Sequence, residues 1–297
     1  MTATCVLFVT FRAELGLLAA DRSADQRQKS RSVGRYGATR GLDRVLQVLA
    51  DHRAPATWFV PTAAIDLYPQ QAERIARTVV EAGHELACAG RDLTNRTGRP
   101  LAEQTLDLLT SRDILATRLG IAPVGYRICA GEPHPDLADT LAGQGFTWSS
   151  CLRGDDRPYR HPSGLVELPR HHELDDDAYF AFNLDPPLPA GAPRIASVGD
   201  VAANWGIEFA AYRAEGLCFA LDLHTDLIGT PARAAMLSQL LDHICATDQV
   251  EILTAAQAAT RCLPPGSETE LPTDHPLLVF ARERAAYLQP RPKVIDG

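Results

Sequence analysis

Residues 36–60 read YGATRGLDRVLQVLADHRAPATWFV, and their order decides the fold class. Leu42, Val45, Leu46 and Leu49 recur at i, i+3, i+4 and i+7, which lines one face of an α-helix with apolar groups. Ala56-Thr57-Trp58-Phe59-Val60 follows as a short apolar run closed by Pro61, the pattern of a buried strand. A helix feeding a buried strand is one unit of a parallel sheet, because parallel neighbours need a crossover connection. Working outward, the unit repeats. Upstream, 5–10 is a strand, separated from the helix by an Arg- and Ser-rich stretch at about 20–37 that reads as loop. Downstream, a helix carrying Ile75, Val79 and Val80 stops at Gly83, and strands at 84–88, 124–128, 146–151, 217–223 and 250–253 alternate with helices at 101–119, 137–141, 232–245 and 254–261. About seven strand-helix units favour an α/β fold that closes into a distorted (β/α) barrel. Neither GxGxxG nor GxxxxGK[ST] follows any strand, which argues against an open nucleotide-binding sheet.

The pattern assigns 1–262 to one barrel domain, with an Asp-, Pro- and Gly-rich excursion at about 152–200. Residues 263–297, with Pro264-Pro265-Gly266 and Pro290, read as a tail that could pack on a neighbour. With 45% hydrophobic and 22% charged residues, the 297-residue chain can bury a sizeable core and is not disordered or fibrous. A net charge of −8 repels phosphate backbones and anionic lipid, so nucleic acid is not expected as a partner. No apolar run approaches the roughly 20 residues of a membrane span. The amino terminus meets Arg12 and Glu14 too early for a signal peptide, and a cytoplasmic protein is expected. Seven cysteines without a CxxC pair suggest neither a disulfide framework nor a thiolate zinc site.

Ligands of such folds bind at the carboxyl ends of the strands. Arg12 and Glu14, Ala89 and Arg91, Arg127, Ser149 and Ser150, and Asp222, His224 and Asp226 fall there. The segments VLFVTF (6–11), VVEAGHELACAG (79–90), GYRICA (125–130), GFTWSSCLRGDDRPY (145–159), GLVELPRHHELDDDAYF (164–180), NWGIEFAAYRAEGLCFALDLHTDLIGTPAR (204–233) and DQVEILTAAQAA (248–259) follow one another in the order found in polysaccharide deacetylases. Over roughly 5–260 the chain resembles that superfamily, with its NodB homology domain. It is most similar to the intracellular branch of peptidoglycan-deacetylase-like proteins, allantoinases and cyclic imide hydrolases.

The resemblance implies a distorted (β/α) barrel that hydrolyses amide or imide bonds, usually with a divalent metal held by one aspartate and two histidines. Where the family reads TFDD, this chain has Thr10-Phe11-Arg12-Ala13, and Ala89 and Leu93 stand where the histidines belong. Without those donors a divalent ion lacks a first shell, and Arg12 adds a fixed positive charge. No metal and no cofactor are therefore expected. A displaced site using Glu14, His84, Glu85 or Asp92 is the alternative.

Arg127 matches the family arginine that orients a catalytic carboxylate; with that acid gone it is expected either to clamp an anionic ligand or to form a salt bridge. His224 matches the family's general acid, and Asp222, on the same strand face, is expected to fix its tautomer or to make a surface contact. Glu14 is read as a general base or as the ion-pair partner of Arg12. Trp148 stands where relatives carry an aromatic beside an acid, and Trp148 and His172 are expected to line substrate. Asp175, Asp176 and Asp177 read as a solvated turn.

Three functions compete. The first is a metal-independent hydrolase of a small-molecule amide, imide or ureide, with Glu14, His224 and Asp222 as catalytic groups and Arg12 and Arg127 stabilising oxyanionic charge. The second is recruitment to a non-hydrolytic cyclisation, isomerisation or elimination in secondary metabolism. The third is a catalytically silent binder. The expected partner is a small, anionic molecule, and the resembling branch implies a homo-oligomer.

Overall fold

The computed structural model describes residues 3–20, 23, 26–181 and 195–262. Strand β1 (Ala3–Thr10) is buried along its whole length, which explains a run without polar alternation. It pairs in parallel with β2 (Thr57–Phe59), β8 (Cys218–His224) and β9 (Val250–Leu253). On the far side of β2 lies β3 (Glu85–Ala87). A second sheet runs β4 (Gly125–Tyr126), β5 (Trp148–Ser149), β7 (Val166–Glu167) and β6 (Tyr159–Arg160), antiparallel only between the last two. Bridges Cys88↔Tyr126 and Asp175↔Asp222 carry the ring from β3 to β4 and bring the chain after β7 back onto β8. The result is the distorted (β/α) barrel that the sequence pattern implies.

Helices α3 (Leu42–Asp51), α5 (Pro69–Glu81), α6 (Leu101–Leu119), α7 (Leu137–Gly143), α9 (Val198–Glu215) and α10 (Pro231–Cys245) are crossovers around the ring, with the short α4 (Thr62–Leu67) after β2. Inside it, Phe8, Phe59 and Trp148 stack with centroids 5.6 to 6.2 Å apart. At the amino-terminal end, α11 (Ala255–Cys262) is held by Glu85. That carboxylate accepts the Ala256 N–H (3.0 Å), the Thr57 hydroxyl (2.9 Å) and the Trp148 indole N–H (3.0 Å).

Two expectations are corrected. The stretch at 20–37 is not loop throughout: α1 (Leu15–Ala20) precedes it and α2 (Gln28–Tyr36) fills its second half. Only Val33 and Tyr36 are apolar there, so α2 has no apolar stripe to betray it. It is seated through Gly34, where a side chain would collide with the backbone of Ala13 and Glu14. A π-helical turn, Gly37–Gly41, joins α2 to α3. The excursion also contains β6, β7, a 3-10 turn (His172–Leu174) and the short helix α8 (Asp176–Phe180). Its residues 182–194 and the tail at 263–297 lie outside the described residues.

Candidate active site at the barrel mouth

The register pairs Thr10 with His224, so β1 and β8 end together and release Arg12 and Asp226 at one edge of the barrel. Arg12 grips Asp226 with two groups: Nε donates to Oδ1 at 3.0 Å and Nη2 to Oδ2 at 3.1 Å. Its Nη1 lies 2.7 Å from Asp177 Oδ1. Burial would lower the Arg12 pKa, but Asp226 and Asp177 outweigh it and hold the group more firmly charged than usual.

The acidic run after β7 supplies the opposite wall, and each aspartate takes a different cation. Asp175 caps α8 by accepting the Asp177 N–H (2.8 Å) through Oδ1, and its Oδ2 accepts Arg170 Nη2 (2.6 Å). Asp176 accepts the His224 N–H (2.9 Å) through Oδ2 and faces His224 Nδ1 at 2.6 Å through Oδ1. Asp177 pairs with Arg12. Because Asp176 offers only acceptors when ionised, Nδ1 carries the hydrogen of the neutral imidazole and Nε2 keeps its lone pair in that form. Burial and Arg12 push the His224 pKa down, yet Asp176 outweighs both and the histidine lies above its ordinary value. Burial lifts Asp176 to about 6 against the pull of His224.

Below this layer Asp222 is bracketed by Arg127 Nη1 and by Arg170 Nε (3.0 Å). Burial alone would raise its pKa, but the two guanidiniums hold it below the carboxylate range. Arg127 also donates to the Ser150 carbonyl (3.2 Å) and hydroxyl (3.0 Å), and its guanidinium stacks 4.2 and 4.5 Å from the Phe8 and Phe59 rings. With 2% of its surface exposed, Arg127 is not free to clamp a ligand.

Several expected roles therefore change hands. Asp176, not Asp222, fixes the His224 tautomer, and Arg170 is the half-exposed cation that Arg127 is not. Glu14 does not meet Arg12 or His224: Oε1 lies 3.9 and 4.0 Å from Arg31 and Arg35 of α2, and Tyr68 hydrogen-bonds to the carboxylate. Trp148 is fully buried in the barrel interior, and His172 is solvent-exposed while its neighbour His171 is buried. The aspartate run is not solvated: Asp175 and Asp176 are buried. Asp176 and Arg170 are the residues sequence reading missed. For Asp176 the signal was an acid followed by acids and then Ala-Tyr-Phe, the pattern of an N-capped helix start.

The residues that the family uses for a metal do not fit one here. Ala89 lies in the apolar interior, and the Leu93 side chain and the Arg12 stem flank Gly16. Ligand atoms of Asp175, Asp176 and His224 do lie within 4.8 Å of one another. Their oxygens, however, already accept Arg170, Asp177 and His224, and the Arg12 charge acts on the imidazole.

The polysaccharide deacetylase family model matches residues 36–148. A solved structure from Mycobacterium smegmatis, assigned to the polysaccharide deacetylases, is 30% identical. It superposes with a TM-score of 0.81 over 88% of this chain and 90% of that one. The peptidoglycan deacetylase of Helicobacter pylori is 25% identical over 257 residues, which is 77% of this chain and 85% of that protein. A solved allantoinase shares the fold at 19% identity, with a TM-score of 0.71 over 86% of this chain and 89% of that one.

Proposed function

Because the chain belongs to the polysaccharide deacetylase family, we propose that it is a C–N hydrolase-like enzyme that acts on a small-molecule amide, imide or ureide by side-chain acid/base chemistry, without a metal. The observation that carries this reading is the His224–Asp176 pair, set beside Arg12 at the mouth of the barrel.

Asp176 holds the imidazole by Nδ1, so Nε2 is the group that moves protons. Nε2 takes a proton from a water as its oxygen attacks the substrate carbonyl, and the resulting imidazolium is stabilised by the Asp176 carboxylate. Charge gathers on the carbonyl oxygen. Arg12 and the half-exposed Arg170 each carry N–H groups beyond those given to their aspartates, and these are the donors for that oxyanion. Nε2 then returns the proton to the leaving nitrogen as the C–N bond breaks, giving a carboxylic acid and an amine from an amide, an amide from an imide, or a urea from a ureide. Asp222, Arg127 and Ser150 form the buried floor that holds Arg170 in place.

The test is turnover of a panel of small amides, cyclic imides and ureides by protein stripped with chelator. Hydrolysis places one oxygen from labelled water in the acid product, which a rearrangement would not do. His224→Ala is expected to lower the rate about 10²–10⁴-fold. A rate that needs added divalent metal, or that survives His224→Ala, overturns the proposal.

A further inference from the structure

Arg12 leaves β1 at the mouth, and carboxylates from two other segments turn toward it. Asp226, 214 residues further along the chain, gives it both oxygens. Asp177 adds an ion pair at 2.7 Å from the start of α8, and Asp176 contributes to the same field. Asp226, with 11% of its side chain exposed, would bear an uncompensated desolvation cost without a cation, and the more exposed Asp177 brings a second negative charge to the same point. The stem of Arg12 is packed as well as its head: a Cβ built on Gly16 would lie 4.0 Å from Arg12 Cδ and 3.8 Å from Leu93 Cδ2.

We propose that the Arg12 guanidinium is the resident cation of the mouth, and that it keeps the converging carboxylates of Asp226 and Asp177 from binding a divalent metal ion. The inference deepens the metal-free reading above and rests on it. A guanidinium stays charged at every working pH and matches a carboxylate with two parallel N–H donors, so the cation is covalently fixed and cannot be lost to a chelator. Once it is removed, Asp226 has two unpartnered oxygens and Asp177 has one. An all-oxygen set of this kind favours a hard ion, such as Mn²⁺, over zinc. His224 keeps its Asp176 bond and does not need to join.

The experiment measures binding of Mn²⁺ alone, by the loss of its free-ion magnetic resonance signal, to the full chain and to Arg12→Gln, Arg12→Ala and Arg12→Lys. Wild type and Arg12→Lys, which keeps the charge, are expected to leave Mn²⁺ free. Arg12→Gln and Arg12→Ala are expected to bind about one ion per chain, at least about 100-fold more tightly than wild type, since a unit charge at contact distance has been removed. Adding Asp226→Asn to Arg12→Gln should abolish the gain. Folded neutral variants that bind no Mn²⁺ overturn the inference and leave metal-free hydrolysis standing. Wild type that binds as tightly as Arg12→Gln overturns both. If a neutral variant is unfolded in metal-free buffer, folding on addition of Mn²⁺ supports the inference and failure to fold overturns it.

Discussion

His224 and His171 are both buried, and their surroundings push them in opposite directions. Asp176 raises His224, whereas burial, with Arg153 adding to it, lowers His171. The ring nitrogens of His171 make no hydrogen bond; its nearest carboxylates are 3.8 and 3.9 Å away, and it rests edge-on against Tyr212. The signs follow. A histidine with a raised folded pKa contributes stability that is full below its unfolded value near 6.5 and is lost as pH rises through the folded value. For His171 the unfolded chain takes the proton first, so stability is lost as pH falls through about 6.5. Ring-proton titrations should place the His224 midpoint above 6.5 and that of His171 below it, and Asp176→Asn should bring His224 down. His171→Phe keeps the ring packing and removes two unsatisfied buried nitrogens. It is expected to stabilise the protein by about 1 kcal/mol at pH 7 and to flatten the loss between pH 7 and 5, read from urea midpoints.

Among the elements, the π-helical turn Gly37–Gly41 packs against the loop that follows β8. A side chain on Gly37 would meet the backbone and Cβ of Asp226, and one on Gly41 would meet the Thr225 carbonyl, both inside van der Waals contact. The turn therefore presses directly on the loop that carries His224 and Asp226. Gly41→Ala should push that loop outward, costing about 1–3 kcal/mol of stability by overpacking. It should also lower kcat/KM, because a shift of about 1 Å in Asp226 releases Arg12. Urea denaturation and steady-state kinetics on one preparation check both, and an alanine variant of wild-type stability and rate would refute the coupling. This is also where sequence reading fell short. Helix α3 and strand β2 were legible because their apolar spacing matches 3.6-residue and buried-strand patterns. Helix α2 and the π turn were not, because glycine contacts, rather than an apolar face, hold them. The same holds at the site. The strand ends that carry Arg12 and His224 could be read by position, but the pairing of Asp176 with His224 depends on the parallel Asp175↔Asp222 bridge, which lays the chain after β7 along β8 and which no spacing records.

Across the whole molecule, charge decides what the mouth will accept. An anionic ligand was the expectation from sequence because Arg12 and Arg127 were taken as spare cations. In the structure Asp175, Asp176, Asp177, Asp222 and Asp226 face Arg12, Arg127, Arg170 and Arg233; the first three arginines are each tied to at least one of the acids, and Arg233 lies over the Phe180 ring in the field of Asp176 and Asp226. The chain as a whole carries −8. A cationic substrate thus enters with the field, a neutral one without hindrance from it and an anionic one against it, and screening should weaken the preference as ionic strength rises past the point where the Debye length falls below about 10 Å. A matched pair of amides that differ only in a remote carboxylate against a carboxamide tests this. At low salt the carboxamide should show roughly tenfold higher kcat/KM, and the gap should narrow on adding about 0.5 M salt. If the carboxylate compound were instead preferred and lost its advantage in salt, an arginine outside these ion pairs, with Arg233 the first candidate, would be receiving it.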